Sequence, residues 1–267
     1  MNTAKEMTRH VEVVLKALDI LDCFESQPAL TLKEIVDRTH MTRSRTMRLM
    51  GTLESRGYLI YNSEHRNFHL GPRLLTLGKI FETHNTLISL ARPILRDLVR
   101  ETGELASLYV IDGTERVALA REKGTHEISY TITEGQRMEL YAGAAGKLLL
   151  AHAPPEITEK VLSAKSLKKL TPNTISSTSQ LSRQLKEIRG KGYAVSEGER
   201  ALDVWSVAAP VFDHRGQICC AIGITGPIYR IPEAAQSGFI NIVLLKAREL
   251  NRHLGGRESH NEKEDES

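Results

Sequence analysis

Residues 30–61 read LTLKEIVDRTHMTRSRTMRLMGTLESRGYLIY, and they indicate the architecture of the first part of the chain. Thr31 is followed three residues later by Glu34, which is the spacing of a capping box at a helix start. A short turn comes next, and Thr42 is suited to cap a second helix. Gly57 ends that helix, because glycine adopts a positive φ without strain. The pattern predicts a helix-turn-helix.

The second helix of this pair has two unlike faces. At 100° per residue its apolar positions gather on one face, and its arginines lie outside that face. Arginines on a helix can be no more than a solvated cationic surface. Here, however, they occupy the N-terminal half, which contacts base edges in recognition helices, and arginine suits bidentate pairing to guanine. The candidate DNA contacts are therefore Thr42, Arg43, Ser44, Arg45, Met47 and Arg48.

A hairpin is predicted directly after the second helix. Tyr58–Tyr61 and Asn67–Leu70 have strand-like composition, and the polar turn Asn62–Arg66 joins them. A hairpin in this place is the wing of a winged helix-turn-helix. His65 and Arg66 at its tip are candidate contacts to phosphate or the minor groove, although such a tip can also be a plain exposed turn.

Positive charge is concentrated in the same part of the chain. The formal charge of the 267 residues is +3. Residues 1–80 contain 12 basic and 9 acidic side chains, so the other 187 residues, with 24 of each, are neutral. This distribution favours a nucleic-acid partner for the first domain. A chain of this length is expected to hold about two domains.

Cysteine usage and hydropathy indicate a protein of the cytoplasm. Cys23, Cys219 and Cys220 have neither metal-ligand spacing nor the arrangement of a disulfide framework, so we interpret them as small buried apolar residues. The N-terminus lacks the apolar core of a signal peptide, and no run approaches the ~18 apolar residues of a membrane span. We expect no membrane partner.

The middle of the chain predicts a linker helix followed by a mixed domain. The apolar pattern from Pro72 to Arg100 is helical, with a loosening at Thr83–Thr86 and with Pro93 as either a kink or the first turn of a renewed helix. Beyond Gly103, hairpins alternate with helices, and a strand is expected at Ile128–Thr131. The second half is thus predicted to be α+β with a mostly antiparallel sheet.

Motifs of catalysis are missing from the sequence. AGAAGKL resembles a phosphate-binding loop, but Tyr141 and Leu148 stand where that motif needs glycine and Ser/Thr. Nucleophile elbows and zinc-protease motifs are also lacking. Glu197, Glu199 and Arg200 could form a charged cluster, although a solvated loop is the more ordinary interpretation. We predict no catalytic residue, no cofactor and no metal site.

Five segments in fixed order resemble the IclR (isocitrate lyase regulator) family of bacterial transcription factors. The resemblance covers about residues 10–255 and rests on LKALDILDCF, on TLKEIVDRTHMTRSRTMRLMGTLESRGYL with LGPRLLTLG, on AGAAGKLLLA, on GYAVSEGE, and on VAAPVFD with GQICCAIGITGP. It implies a winged helix-turn-helix domain at 10–71, a linker helix at 72–102 and a GAF-like effector-binding domain at 103–256. Residues 257–267 form an acidic tail that we expect to be disordered.

The family resemblance also implies an effector pocket in the second domain. Free N–H groups at a helix start attract an anion, and hydroxyls can orient a carboxylate. The implied wall consists of Ala144, Ala145, Ser196, Ser206, Gly223 and Thr225. Cysteine replaces Ser206 in some relatives, and a hydroxyl replaces Gly223, so glycine here is expected to make room for a larger or aromatic ligand. Trp205 is a further candidate, with ordinary core packing as its alternative.

The resemblance therefore implies a regulator that binds double-stranded palindromic operator DNA as a homodimer or dimer of dimers. The resemblance implies that a small organic or aromatic acid is its effector. One alternative is a DNA-binding protein whose C-terminal domain only oligomerises and senses no ligand. A small-molecule enzyme on a GAF-like fold is a weaker alternative, because no catalytic motif supports it.

Overall fold

The chain divides into two units between His84 and Asn85 in a computed structural model, which describes residues 10–126, 132–164 and 167–256. Each unit has its own apolar core. The division falls inside the segment 72–102 that was predicted as a linker helix. The first part of that segment groups with the N-terminal unit and the remainder with the C-terminal unit.

Three helices form the body of the first unit. They are α1 (Glu12–Asp22), which continues as a 3-10 turn (Cys23–Glu25), α2 (Leu32–Thr39) and α3 (Arg43–Ser55). The capping box is present: the Thr31 hydroxyl accepts the Glu34 N–H at 3.3 Å, and the Glu34 carboxylate accepts the Thr31 N–H at 2.7 Å. Thr42 caps α3 as predicted, and His40 makes the turn between α2 and α3 with a φ of 54°.

A small antiparallel sheet completes the first unit. It contains β1 (Ala29–Leu30), β2 (Leu59–Asn62) and β3 (Asn67–Leu70), in the order β1-β3-β2. Strands β2 and β3 are the predicted hairpin, within a residue at each end. Strand β1 was not predicted, because a two-residue strand leaves no alternation in the sequence and exists only through its pairing with β3.

The predicted linker is two helices rather than one. α4 (Pro72–His84) ends at the expected loosening, and α5 (Thr86–Thr102) begins after Asn85, whose side chain accepts the Ile88 N–H at 3.2 Å. Pro93 lies inside α5, beyond its first turn. Gly103, with a φ of 76°, ends α5 as predicted.

The second unit is built on one six-stranded sheet in which every pairing is antiparallel. Its strands are β4 (Leu105–Asp112), β5 (Glu115–Glu122), β6 (Arg137–Glu139), β7 (Ala194–Glu197), β8 (Val204–Phe212) and β9 (Ile218–Pro227). Their order is β6-β5-β4-β9-β8-β7. The remaining elements are α6 (Ala144–His152), α7 (Pro155–Leu162), α8 (Thr178–Lys191), a 3-10 turn (Ile228–Arg230) and α9 (Glu233–His253).

The two faces of this sheet have separate cores. Helices α5 and α9 cover one face, against Val207, Ala209 and Ile222. Helices α6 and α8 cover the other, against Ala208 and Ala221. Adjacent residues of one strand thus belong to opposite cores, as the two-residue period of a strand requires.

The α+β prediction, with a winged helix-turn-helix and an antiparallel sheet, is confirmed. The strand expected at Ile128–Thr131 and the tail 257–267 lie outside the described residues. None of the helices in the described parts of the chain combines the length and apolarity that a bilayer crossing needs.

Candidate DNA interface and ligand cavity

The outward face of α3 carries most of the predicted DNA contacts. Thr46 and Met50 are buried against the other helices. On the opposite side, a set of exposed residues faces solvent: Thr42, Arg43, Ser44, Met47 and Arg48. Because a helix N-terminus also presents unpaired N–H groups, this face can hold phosphate while its side chains extend beyond it.

Arg45 differs from its neighbours on the same helix. It is half-buried, and its guanidinium lies 3.0 Å from the Glu12 carboxylate at the start of α1. The pair is exposed enough to be weak, so Arg45 could exchange Glu12 for a phosphate at little cost. Arg43 and Arg48 are more exposed to solvent than Arg45 is.

The tip of the wing is an ordered turn rather than a loose loop. The Asn62 side chain accepts N–H groups from Glu64 at 3.0 Å and His65 at 3.1 Å. Arg66 has a φ of 51°, in the left-handed region. His65 and Arg66 are both exposed, so the fold holds their backbone in place while their side chains face solvent.

A cavity of about 30 Å³ lies in the second unit, between the sheet and the start of α6. Six of the seven predicted effector residues line it: Ala144, Ala145, Ser196, Ser206, Gly223 and Thr225. Three of them form a row of hydroxyls, because Ser196 pairs with Ser206 and Ser206 pairs with Thr225 on adjacent strands. Neighbouring strands are ~4.8 Å apart, so the three residues follow one another across the cavity at about that spacing.

Trp205 does not line the cavity, which corrects its place among the candidates. It is fully buried in the core under α5 and α9, on the opposite face of the sheet from Ser206. The reason is the period of the strand. Two consecutive residues of β8 cannot face the same side, so the choice of Ser206 excludes Trp205.

The expectation that Gly223 makes room for a ligand is also wrong. A Cβ at Gly223 would lie 2.1 Å from the Val207 carbonyl oxygen of the adjacent strand. Glycine is therefore needed for the close approach of β8 and β9. The cavity is also far smaller than the ~300–1,000 Å³ usual for ligand sites, so a ligand must widen it to enter.

Two arginines that were not predicted as effector contacts complete the wall. Arg116, from β5, is 4% exposed; its guanidinium donates to the Ala142 carbonyl at 3.0 Å and lies 5.1 Å from the centre of the Tyr109 ring. Arg200 follows β7 and forms an ion pair with Glu139. Burial alone would raise the pKa of Glu139, but the Arg200 hydrogen bond, with the charges of Arg200 and Arg116, lowers it below its ordinary value.

The loop after β7 is not the solvated loop that its charges suggested. Glu197 is exposed, but Glu199 is buried and forms an ion pair with Lys147, which is 2% exposed. Lys147 also donates to Gln184 at 3.1 Å. Glu199 accepts the Gly143 N–H at 2.9 Å, so this carboxylate takes one of the N–H groups that were expected to attract an anion.

The described residues contain no cluster of His, Cys, Asp or Glu that could hold a metal ion. The chemistry of the cavity is therefore that of hydroxyls, guanidinium groups and the N–H groups at the start of α6. Such groups bind and orient an anion, and no nucleophile–base pair lines the cavity among the described residues.

Comparison with known proteins assigns both units. Residues 13–63 match a family described as "IclR helix-turn-helix domain", and residues 81–252 match one described as "Bacterial transcriptional regulator IclR C-terminal". A curated relative, the HTH-type transcriptional regulator BhcR of Paracoccus denitrificans, is 35% identical over 249 residues, covering 93% of this chain and 89% of the relative.

Solved structures share the fold over nearly the whole chain. An IclR transcriptional regulator from Alicyclobacillus acidocaldarius is similar with a TM-score of 0.83 and 25% identity, covering 92% of this chain and 100% of the other. An IclR homologue from Microbacterium hydrocarbonoxydans, solved in complex with 4-hydroxybenzoate, has a TM-score of 0.77 and 23% identity, covering 91% and 98%.

Proposed function

The chain belongs to the IclR family and is a DNA-binding transcriptional regulator rather than an enzyme, and on that basis we propose that a small organic or aromatic acid controls its binding to a palindromic operator. The observation that carries the proposal is the row of Ser196, Ser206 and Thr225, which lines the cavity together with the start of α6. Hydroxyls and helix N–H groups together suit a carboxylate. The regulator acts in the cytoplasm, where its DNA is.

The DNA contacts in this proposal come from α3 and the wing. Arg43 and Arg48 extend from the outward face and are free to reach base edges in a major groove. His65 and Arg66 contact the backbone or the minor groove next to it. Arg45 exchanges its Glu12 partner for a phosphate.

The operator is read by two copies of the chain. Support comes from large apolar side chains that are exposed on α1 and α4, among them Leu15, Leu18, Leu75, Ile80 and Phe81. Leu15 and Leu18 lie three residues apart and therefore on one side of α1, as expected for a helix that contacts a partner along that side. A homodimer, or a dimer of dimers, places two recognition helices on half-sites separated by a helical turn or a multiple of it.

The effector acts by shifting the conformation of the regulator. A ligand must bind one conformation better than another to change DNA affinity. The size of the cavity supports this mechanism, because an acid as large as the 4-hydroxybenzoate bound by the Microbacterium homologue must push the walls apart.

The same small cavity favours one alternative, in which the C-terminal unit only oligomerises. Thermal unfolding separates the two. A ligand at ~100 times its dissociation constant adds about 2.7 kcal/mol of stability, whereas a protein that senses nothing is unchanged by every acid.

The decisive experiment titrates operator DNA, taken from upstream of the regulator's own gene, with and without aromatic and aliphatic acids. Ser206→Ala is expected to weaken the response to the acid and to leave the acid-free DNA affinity unchanged. Ser176→Ala, at an exposed serine of the same unit, is the matched control and should behave as the wild type. Equal loss of both properties in Ser206→Ala would contradict the proposal.

A further inference from the structure

A second opening in the C-terminal unit is large enough to hold a small molecule. It is a cleft of about 330 Å³, within the ~300–1,000 Å³ usual for ligand sites. Its walls come from the ends of α6 and α8, the second half of β8 and the C-terminal half of α9. The residues that line this cleft differ from those that line the cavity beside Ser206, so the two openings are separate.

Apolar side chains form one part of the cleft wall. Phe212 packs edge-to-face against His152, with 5.2 Å between the ring centres. Leu244 and Ala247 are contributed by α9, and Ala209 by β8. Ala209 and Ala247 are buried, so the cleft reaches into the folded body of the unit. Such a wall can remove the apolar part of a ligand from water.

The charged residues that line the cleft in the described parts of the chain are all basic. They are Arg189, Lys191 and Arg248. Arg248 already takes part in another interaction, so Arg189 and Lys191 carry the argument. Nε of Arg189 donates to the Ala151 carbonyl, which fixes the guanidinium beside the end of α6. Its two Nη groups remain for an oxyanion, which a guanidinium can bind with two parallel hydrogen bonds.

The position of these two residues in α8 has an ordinary explanation as well. Basic side chains in the last turn of a helix interact favourably with its dipole, and Arg189 and Lys191 occupy that turn. The dipole accounts for their charge. It does not account for the ligand-sized apolar cleft beside them, or for the lack of an acidic residue among the described residues of its wall.

His152 gives this charge a measurable effect inside the cleft. Burial, and after it the charge of Arg189, lowers the pKa of His152 from 6.5 to about 4. The ring is therefore neutral near pH 7 although it lies beside basic groups. An anion bound to Arg189 would offset the positive charge and raise the pKa of His152.

We propose that this cleft is a second small-molecule site, which binds an oxyanion, either a carboxylate or a phosphate, carried on an apolar body. Arg189 and Lys191 bind the oxyanion, and Phe212 and Leu244 contact the apolar part. The site is independent of the proposed effector cavity. The two openings lie at opposite ends of α6, because Ala144 lines the cavity and His152 lines the cleft.

Charged and neutral probes of similar shape test the proposal. Phenylacetate is compared with phenylacetamide, and phenyl phosphate with phenol. Binding to the full-length protein is followed by NMR of the histidine rings, and His152→Gln identifies the signals of His152 among the ten histidines. At least one charged probe should bind with a Kd of about 1 mM or lower, and at least about tenfold more tightly than its neutral counterpart. The bound probe should also raise the pKa of His152.

Matched variants on α8 locate the binding. Arg189→Gln should weaken binding of the charged probe by about tenfold or more, as expected for lost charge-assisted hydrogen bonds. Arg183→Gln is its control, since Arg183 is exposed on the same helix and does not line the cleft. Lys191→Gln and its control Lys186→Gln form a second pair, which leaves the bond between Arg189 and the end of α6 in place.

Ser206→Ala separates the cleft from the cavity and should leave the response of His152 unchanged. Loss of that response in Ser206→Ala would overturn the proposal, because the probe would then act from the cavity. The proposal is also overturned if neither charged probe changes the His152 signals or if the neutral counterparts bind as tightly. Equal weakening in Arg183→Gln and Arg189→Gln would overturn it as well, since the charge would then act from anywhere on α8.

Discussion

Arginines carry the proposed chemistry in both units of this protein, but the two units hold them differently. On α3, Arg43 and Arg48 are exposed and emerge from a helix whose other face is buried. At the cavity, Arg116 is 4% exposed and is fixed by a carbonyl and an aromatic ring. Exposed charges attract DNA over a distance and are screened by salt, whereas enclosed charges act only on a ligand that fits.

The comparison implies a difference in what mutations should damage. Removing a buried charge from the second unit should reduce its folding stability, because the partner charge stays behind in a poorly hydrated place. Removing one from α3 should reduce DNA affinity and leave folding almost unchanged.

Lys147→Met tests the buried charges of the second unit and should destabilise the protein more than the other variants. It leaves the Glu199 carboxylate buried without its cation, and the expected loss is about 3–5 kcal/mol in the free energy of unfolding. Urea unfolding followed by Trp205 fluorescence measures it. Arg100→Met breaks the exposed pair with Asp97, whose side-chain atoms lie 2.6 Å apart, and should cost less than about 1 kcal/mol. Equal losses in the two variants would show that burial does not make an ion pair of this protein more costly to disrupt.

The partly buried His152 at the end of α6 should make the second unit less stable in mild acid. Burial, assisted by the charge of Arg189, lowers the pKa of His152 from 6.5 to about 4. The unfolded chain therefore takes up a proton as the pH falls through 6.5, while the folded chain resists until about pH 4. After allowance for partial exposure, the expected loss between these values is ~2 kcal/mol.

Unfolding by urea at pH 7, 6, 5 and 4 tests this prediction by comparing the wild type with His152→Gln. The variant lacks the titrating ring, so its stability should decline less over that range, whatever its starting value. Parallel curves for the two proteins would show that His152 is not responsible for the acid sensitivity.

Arg48→Ala tests the exposed arginines of α3. It should cost about 1–3 kcal/mol of operator affinity and relax the preference for one base pair. The thermal unfolding temperature should stay the same, because Arg48 is exposed and lies outside the apolar core of the unit. Arg56→Ala, at the opposite end of α3, is the control. If both variants bound the operator equally well, the N-terminal half of α3 would not be the surface that contacts DNA bases.

Thr31→Ala should have the smallest effect. It removes the hydroxyl that accepts the Glu34 N–H, and lost caps typically cost about 1 kcal/mol. Hydrogen exchange of the amides in the first turn of α2 measures the local change, with Thr76→Ala in α4 as a threonine control outside a cap. An unaltered exchange rate of the Glu34 amide would show that the capping box does not stabilise the start of α2.

Local signals in the sequence were sufficient for the helices and the hairpin of the first unit. Thr31 and Glu34 are three residues apart, and Thr42 stands immediately before the helix that it caps, so their interaction is visible in a short window. The same holds for the hairpin around Asn62, whose side chain closes the turn within three residues. The two-residue strand β1 has no such signal, because its existence depends on a partner some forty positions later.

Distance along the chain explains what was missed in the second unit. Arg116 reaches Ala142 across 26 positions, and Arg200 reaches Glu139 across 61. Neither interval follows from a helical or strand period. The hydroxyls were placed by family resemblance, and the β-strand period itself would have excluded Trp205 once Ser206 was chosen. The expectation that Gly223 makes room for a ligand was wrong for a different reason. A glycine lacks a side chain, but here the backbone of β8 occupies the space that a side chain would have filled.

Asn85 has a consequence for how such a regulator can diversify. Its side chain supplies the cap of α5 from the first residue of the second unit, so that helix needs nothing upstream to begin. A chain cut before Asn85 keeps the cap, the helix that covers its sheet and the whole cavity. We therefore expect a chain that begins at Asn85 to fold with its cavity in place, so that a different DNA-binding domain can be joined there without changing the residues that line the cavity.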